Sequence, residues 1–215
     1  MAFPSVYEMM NPLTTVRKQH FWEYFSGKDI SPRRWTLTQT NGGVSSEMSD
    51  EVDGGYKIMF SSQATAWGGL DFNNISKPFS LYNSTFTTVI KRNFTGSGVT
   101  GGFWAGLSAS NNTSQNDTVA FSSNTSSKSK FFLYAKGNTT ASTEGDCPTV
   151  DNQWHTGTVV LLPSSMKLSI DGVLGATIES GMGVNDKAQP QIHGIKYGTT
   201  TGNSIQVKYF EAYNT

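Results

Sequence analysis

Cysteine is almost missing from this chain. Cys147 is the single one among 215 residues, so no internal disulfide can staple the fold and stability must come from burial. A lone thiol of this kind is expected at a surface or half-buried position and has no catalytic signature. Charge is scarce too: Asp, Glu, Lys and Arg make up 15 % of the residues, and 16 positive side chains face 16 negative ones for a net charge of zero. The basic doublets Arg17-Lys18, Arg33-Arg34 and Lys91-Arg92 are too far apart to form the stripe that neutralises a nucleic-acid backbone, which excludes that partner. Three histidines, His20, His155 and His193, show no HxH or HExxH spacing, so no histidine metal site is expected. Long apolar runs are absent as well. The opening stretch MAFPSVYEMMNPLTTVRKQHFWEYF has neither the charged start and apolar centre of a secretion signal nor the length of a membrane span. A soluble chain with no export signal and no membrane insertion is the expectation.

What the chain has in quantity is Gly, Ser, Thr and Asn, set between short segments of alternating apolar and polar residues. Eight N-x-S/T triplets, at Asn74, Asn83, Asn93, Asn111, Asn112, Asn116, Asn124 and Asn138, mark surface loops, and in a secreted chain they would accept glycans. The alternation favours strands nearly everywhere. RWTLTQT (34–40) and GGYKIMFSS (54–62) carry apolar residues at period two, with a strand fragment between two loops in NGGVSSEMSDEVDGG. STFTTVIKR (84–92) and GGFWAGLSAS (101–110) are the clearest strands of the middle, joined by the glycine-rich NFTGSGVT, and they are expected to pair. DTVAFSS, KSKFFLYAKG and NTTASTEG follow, the last two forming a hairpin about Gly137-Asn138. The second half reads QWHTGTVVLLP, MKLSIDG, VLGATIES, QIHGIKYG and SIQVKYFEAYN. In MKLSIDG, Met166, Leu168 and Ile170 share one face and Lys167 and Ser169 the other, and Asp171-Gly172 suits a two-residue turn at positive φ. Ten or more strands at this spacing predict an all-β sandwich or barrel. Residues 1–19 lack alternation and read as an arm, leaving 20–215 as one β-sandwich domain. Phe21, Trp22, Tyr24 and Phe25 in HFWEYFSG are expected in the core, as aromatics usually are.

Three stretches resemble the concanavalin A-like lectin/glucanase superfamily, in particular its laminin G-like and pentraxin-like branch. EYFSGKDISPRRWTLTQTNG is similar to the family's entry, NQWHTGTVVLLPSSMKLSIDGVLGATI to its Trp-His strand and returning Asp-Gly hairpin, and SIQVKYFEAYNT to its closing strand. The resemblance runs from about residue 20 to the end. It implies a two-sheet antiparallel jelly-roll β-sandwich with one concave sheet that often binds glycans. It does not fix an activity, because one sandwich hosts lectins, hydrolases, adhesion modules and viral coat or spike domains.

A family glucanase would present acidic residues at alternate strand positions, E-x-D-x-E or close to it, so that both carboxylates face one groove. The acidic cluster Glu47, Asp50, Glu51 and Asp53 offers Glu51 and Asp53 at that spacing, but Gly54-Gly55 follows at once and the pair reads as a loop. No G-x-S-x-G elbow exists, and GSGVTGG lacks the Lys-Ser/Thr ending of a phosphate loop. No catalytic residue is therefore expected. A lectin needs less: aromatic faces for the sugar ring, with amides and carboxylates for its hydroxyls. Trp67, Asp71, Asn73, Asn74 and Trp104 are the candidate glycan-binding residues. Trp67 sits in a loop-like setting before Gly68-Gly69, whereas Trp104, and Trp154 still more, read as core residues. Calcium would need Asp146, Asp151, Asn152 and Asp171 to converge, and no D-x-D-x-D-G spacing supports it, so no cofactor is expected. Taken together these features predict a non-catalytic structural or recognition protein. It would be a self-associating virion component (capsid, spike or fibre) or a cell-surface one that touches glycans, placed on a virion or extracellular surface. A soluble carbohydrate-binding lectin module is the alternative, and a glycoside hydrolase the third reading.

Overall fold

Alternation governs the strands as expected from the sequence. In MKLSID the side chains of Met166, Leu168 and Ile170 are buried, while Lys167 is exposed and Ser169 half-buried. A computed structural model describes residues 19–25, 30–31, 33–40, 44–48, 55–72, 77–109, 117–137, 140–182 and 187–214. They form, in chain order, β1 (His20–Tyr24), β2 (Trp35–Thr40), β3 (Val44–Met48), β4 (Tyr56–Phe60) and β5 (Thr65–Phe72). Next come β6 (Phe79–Ser80), β7 (Ser84–Asn93), β8 (Thr100–Ser108), β9 (Thr118–Asn124), β10 (Phe132–Lys136) and β11 (Thr140–Thr143). The last are β12 (Trp154–Leu162), β13 (Ser165–Ile170), β14 (Val173–Ile178), β15 (Lys187–Tyr197) and β16 (Ser204–Asn214). No helix occurs among the described residues.

The strands build two antiparallel sheets of eight strands each. The first runs β14-β13-β12-β7-β16-β4-β3, with β1 on β16; the second runs β11-β10-β9-β8-β15-β5-β2, with β6 on β15. Their inner faces enclose one cluster of apolar side chains, Phe86, Ile90, Val159, Leu161, Leu168 and Phe210 from the first sheet against Leu70, Phe103, Leu107, Phe121, Leu133 and Ile192 from the second. The strand spacing predicted a sandwich or a barrel, and this is the two-sheet jelly-roll sandwich that the resemblance implied.

Several local expectations are corrected. β7 and β8 do not pair: β7 lies between β12 and β16 in one sheet, β8 between β15 and β9 in the other. The residues linking them are long enough to cross the ~10 Å between packed sheets, so the chain changes sheet there instead of reversing within one. Trp22 and Tyr24 are 55 % and 61 % exposed, because β1 turns Phe21 inward and its even-numbered residues outward. Trp154 is not in the core cluster either. It stands on the outer face of β12 with Lys208 Nζ 4.4 Å and Lys91 Nζ 5.2 Å from its ring centre, since Gly157, Val159 and Leu161 take the inward phase. The hairpin about Asp171-Gly172 forms as read: φ is 51° and 83° at the two residues, and β13 pairs with β14. The arm falls almost wholly outside the described residues.

Candidate functional site

Side chains on the outer face of the second sheet come from alternate positions of six strands. β5 presents Trp67, Gly69 and Asp71; β15, paired with it, presents Gln191, His193 and Ile195. β2 adds Thr38 opposite Gly69, and β8 places Trp104 opposite His193. β9 contributes Thr118, Ala120, Ser122 and Asn124, and β10 contributes Phe132 and Tyr134. A face with this much polarity would ordinarily be wet. Here Asp71, Gln191, His193, Ser108, Thr118 and Ser122 are each 6 % exposed or less, so the face is sunk below the surface.

The close approach of β5 to β15 explains the glycine pair that looked like a loop. A Cβ on Gly69 would lie 2.0 Å from the Ile192 carbonyl oxygen and 2.7 Å from the His193 ring, so only glycine lets the two strands and the imidazole meet there. Trp67 is therefore a strand residue, half-buried, with its ring 6.5 Å from Trp104 and 6.2 Å from His193. Trp104 is 6.2 Å from His193 in turn. Trp104 thus leaves the core role expected of it: the inward phase of β8 belongs to Phe103, Ala105 and Leu107.

Asp71 anchors the polar part of this face. Its Oδ1 accepts from Gln191 Nε2 at 2.7 Å and from His193 Nε2 at 3.0 Å, and its Oδ2 accepts from the Thr38 hydroxyl. Burial works against the charged carboxylate. The hydrogen bond and charge of His193, with hydrogen bonds from Thr38 and Gln191, outweigh that effect and hold Asp71 below the usual carboxylate range. An ionised carboxylate only accepts, so His193 Nε2 is the donor in this pair. Three buried polar atoms of this face find no partner among the described residues: His193 Nδ1, Trp104 Nε1 and Ser122 Oγ. Next to them a shallow cavity of about 70 Å³ is lined by Trp104, Ser122, Asn124, Phe132 and Tyr134. Burial pushes the Tyr134 phenol up, which keeps its proton available as a donor.

Of the residues singled out from the sequence, Trp67, Asp71 and Trp104 come together on this face. Asn73 and Asn74 lie outside the described residues, as do Glu51 and Asp53. Sequence reasoning missed His193, Gln191, Ser122 and Thr38. The available signal was the strand QPQIHGI, where Gln and His alternate with apolar residues. Asp71 is the single carboxylate on the described strands of this sheet, and the outward positions of β9 are Thr118, Ala120, Ser122 and Asn124.

Two of the four residues considered for calcium do converge, around an imidazole. His155 Nδ1 is 2.7 Å from Asp171 Oδ2 and Nε2 is 2.9 Å from Asp151 Oδ1. Asp146 instead bonds through its N–H to the Gly175 carbonyl, and Asn152 holds the backbone of Phe94. Cys147 is buried in the core, and burial pushes its thiol up to about 11, which leaves almost no thiolate near neutrality.

No family model matches the sequence, and no curated protein aligns with it. Solved structures do share its architecture. An endo-β-galactosidase from Clostridium perfringens, which releases GlcNAcα1-4Gal, superposes with a TM-score of 0.65 at 14 % identity over 99 % of this chain; the chain spans 65 % of that protein's length. A Shewanella oneidensis protein of unknown function superposes at 0.62, with 15 % identity over 100 % of this chain and 95 % of that one. A laminarinase from a Flavobacterium superposes at 0.59, with 14 % identity over 90 % of this chain and 99 % of that one. These neighbours correct two expectations, that the chain is a non-catalytic structural component and that it is no enzyme. Two of these neighbours are named as glycan-cleaving enzymes, and nothing supports the virion, capsid or structural readings. At these identities the likeness establishes architecture: the chain has the jelly-roll fold of the concanavalin A-like lectin/glucanase superfamily.

Proposed function

We propose that this is a carbohydrate-active protein that seats a saccharide on the outer face of its second sheet, over Trp67 and Trp104 and above the Asp71–His193 pair. The observation that carries the reading is the set of three enclosed, unpartnered polar atoms, His193 Nδ1, Trp104 Nε1 and Ser122 Oγ, on the face that also presents two indoles. An apolar ligand would leave such atoms unsatisfied, whereas sugar hydroxyls both donate and accept, and the C–H face of a pyranose suits an indole. The structural neighbours act on galactose-containing glycans and on laminarin, which supports a polysaccharide as the class of ligand.

Where a glycosidic bond is cleaved here, Asp71 is the carboxylate that serves the reaction. Held ionised, it is suited to stabilise developing positive charge on the sugar or to activate a water, with His193 fixing its orientation. A second reading, a saccharide-binding module, is favoured by the presence of one carboxylate among the described strands of this sheet where hydrolysis of the two-carboxylate type uses two. Both readings are tested by affinity electrophoresis and reducing-end release on a panel of β-galactans and β-1,3-glucans. Retardation in at least one gel is expected, with at least a tenfold loss of affinity in Trp67→Ala. Release that disappears in Asp71→Asn assigns hydrolysis; retardation without release selects the binding module. Neither retardation nor release on any polysaccharide of the panel overturns the proposal.

A further inference from the structure

Arg92 ends the inward row of β7. Its Cα partner on β16 is Ile205, which in turn faces Ile58, and both of these are core residues. Arg92 itself is 7 % exposed, and its guanidinium carbon lies 4.6 Å from the centre of the Phe94 ring. Among the described residues its side chain forms no ion pair and no hydrogen bond, and its Nε is enclosed without an acceptor. Burial pushes its pKa down, and no carboxylate acts to offset that effect.

The surroundings are built rather than loose. Asn152 clamps the backbone of Phe94 from both sides, accepting from its N–H at 3.3 Å and donating to its carbonyl at 3.1 Å. Asn203 accepts from the Thr95 N–H at 2.7 Å and donates to the Thr200 carbonyl at 3.0 Å. A second buried cation joins the same network: Lys196, at 0 % exposure, donates to the Ser61 and Thr200 carbonyls. Its partners are carbonyl oxygens, so no carboxylate neutralises it there. The ring of Phe60, the residue before Ser61, packs edge-on against Phe94 at 5.6 Å.

A buried, unpaired cation is among the least favourable features a fold can hold, and a planar guanidinium fork matches an oxyanion in charge and shape. We propose that the Phe94 end of the sandwich is an anion site, in which Arg92 receives an oxyanion, phosphate or carboxylate, from a ligand outside the chain. The site lies on the inner side of the first sheet, away from the saccharide face, and stands or falls independently of it.

Thermal unfolding of the full chain at matched ionic strength tests this, with chloride, inorganic phosphate or glucuronate as the anion. Phosphate or glucuronate is expected to raise Tm saturably, by about 2–4 °C at concentrations severalfold above the dissociation constant. Phosphate alone acting marks a phosphate ligand, glucuronate alone a sugar or other carboxylate, and either supports the site. Arg92→Lys, which keeps the charge and loses the fork, should retain less than half of the shift. Arg92→Met serves as the control for a purely structural role: without the unpaired charge, its Tm in chloride should equal or exceed that of the parent, and the anion shift should vanish. The proposal is overturned if neither anion acts beyond chloride, if Arg92→Met responds as the parent does, or if Arg92→Met in chloride melts well below the parent.

Discussion

His155 and His193 each lie within 3.0 Å of an aspartate, but the first has both ring nitrogens occupied by carboxylates and the second only one. The carboxylates around His155 face water, with side chains 49 % and 51 % exposed, and they grip a ring that packs on Phe131. Asp71 and His193 are nearly enclosed, at 9 % and 0 % of their side-chain surface. The contrast separates a joint from a site. Around His155 every valence goes into holding the turn of β13 and β14 to the start of β12, and Asp171 Oδ1 also accepts from the Thr156 N–H at 2.8 Å. Around His193 one nitrogen is left over, beside an indole N–H and a serine hydroxyl in the same condition.

The largest effect that would sharpen this contrast is removal of the buried carboxylate. Asp71→Ala strips the acceptor from Thr38, Gln191 and His193 at once inside the fold, and denaturant unfolding should show a loss of about 3–5 kcal/mol. Asp151→Ala removes an exposed partner of His155 and should lose less than about 1 kcal/mol. Equal losses in the two variants would break the distinction between buried and exposed pairs.

The sequence made one of these two regions far more legible than the other. His155 and Asp171 are 16 residues apart, joined by a hairpin whose alternation and Asp-Gly turn could be read directly. The spacing of Asp151 and Asp171 gave no support for their convergence, and the two meet around the imidazole of His155. Asp71 and His193 are 122 residues apart, and nothing local to either strand shows that β5 and β15 are neighbours. Composition also worked against the second site. Gly68-Gly69 after Trp67 looks like a turn until the close approach of the β15 backbone gives the glycines another reason. An aromatic in a strand such as Trp104 looks like core because the sequence shows the alternation but not which phase faces inward. The sandwich was legible for the converse reason: strand count and turn spacing are properties of the whole chain and survive local errors.

A mid-sized effect probes the joint through its backbone. Gly172 has φ of 83°, a region that β-branched residues avoid, and a Cβ there would meet no atom within 4 Å. Gly172→Val therefore isolates conformational strain from packing, and should destabilise by about 1–2 kcal/mol in the same unfolding assay. A neutral result would mean that the turn relaxes to another type, and the grip on His155 would then not depend on its geometry.

The smallest effect concerns charge in the joint. Burial of the His155 ring disfavours its charged form, but hydrogen bonds to Asp171 and Asp151 and the charges of both outweigh that, so its pKa is raised. A group raised in the folded state contributes stability that is complete below its unfolded value, about 6.5 for an imidazole. That contribution is lost as pH rises through the higher folded value. Stability should therefore fall across that window in the parent chain and stay level in His155→Gln. Asp171→Asn tests the electrostatic part alone. Asparagine tolerates the φ of 51° and keeps an oxygen for the Thr156 N–H, so the turn should persist with a loss below about 1 kcal/mol. The ring-proton titration of His155, followed by NMR, should move down towards 6.5 as one of its two counter-charges disappears. An unmoved midpoint would show that Asp151 alone sets the charge of the ring, and that Asp171 contributes geometry only.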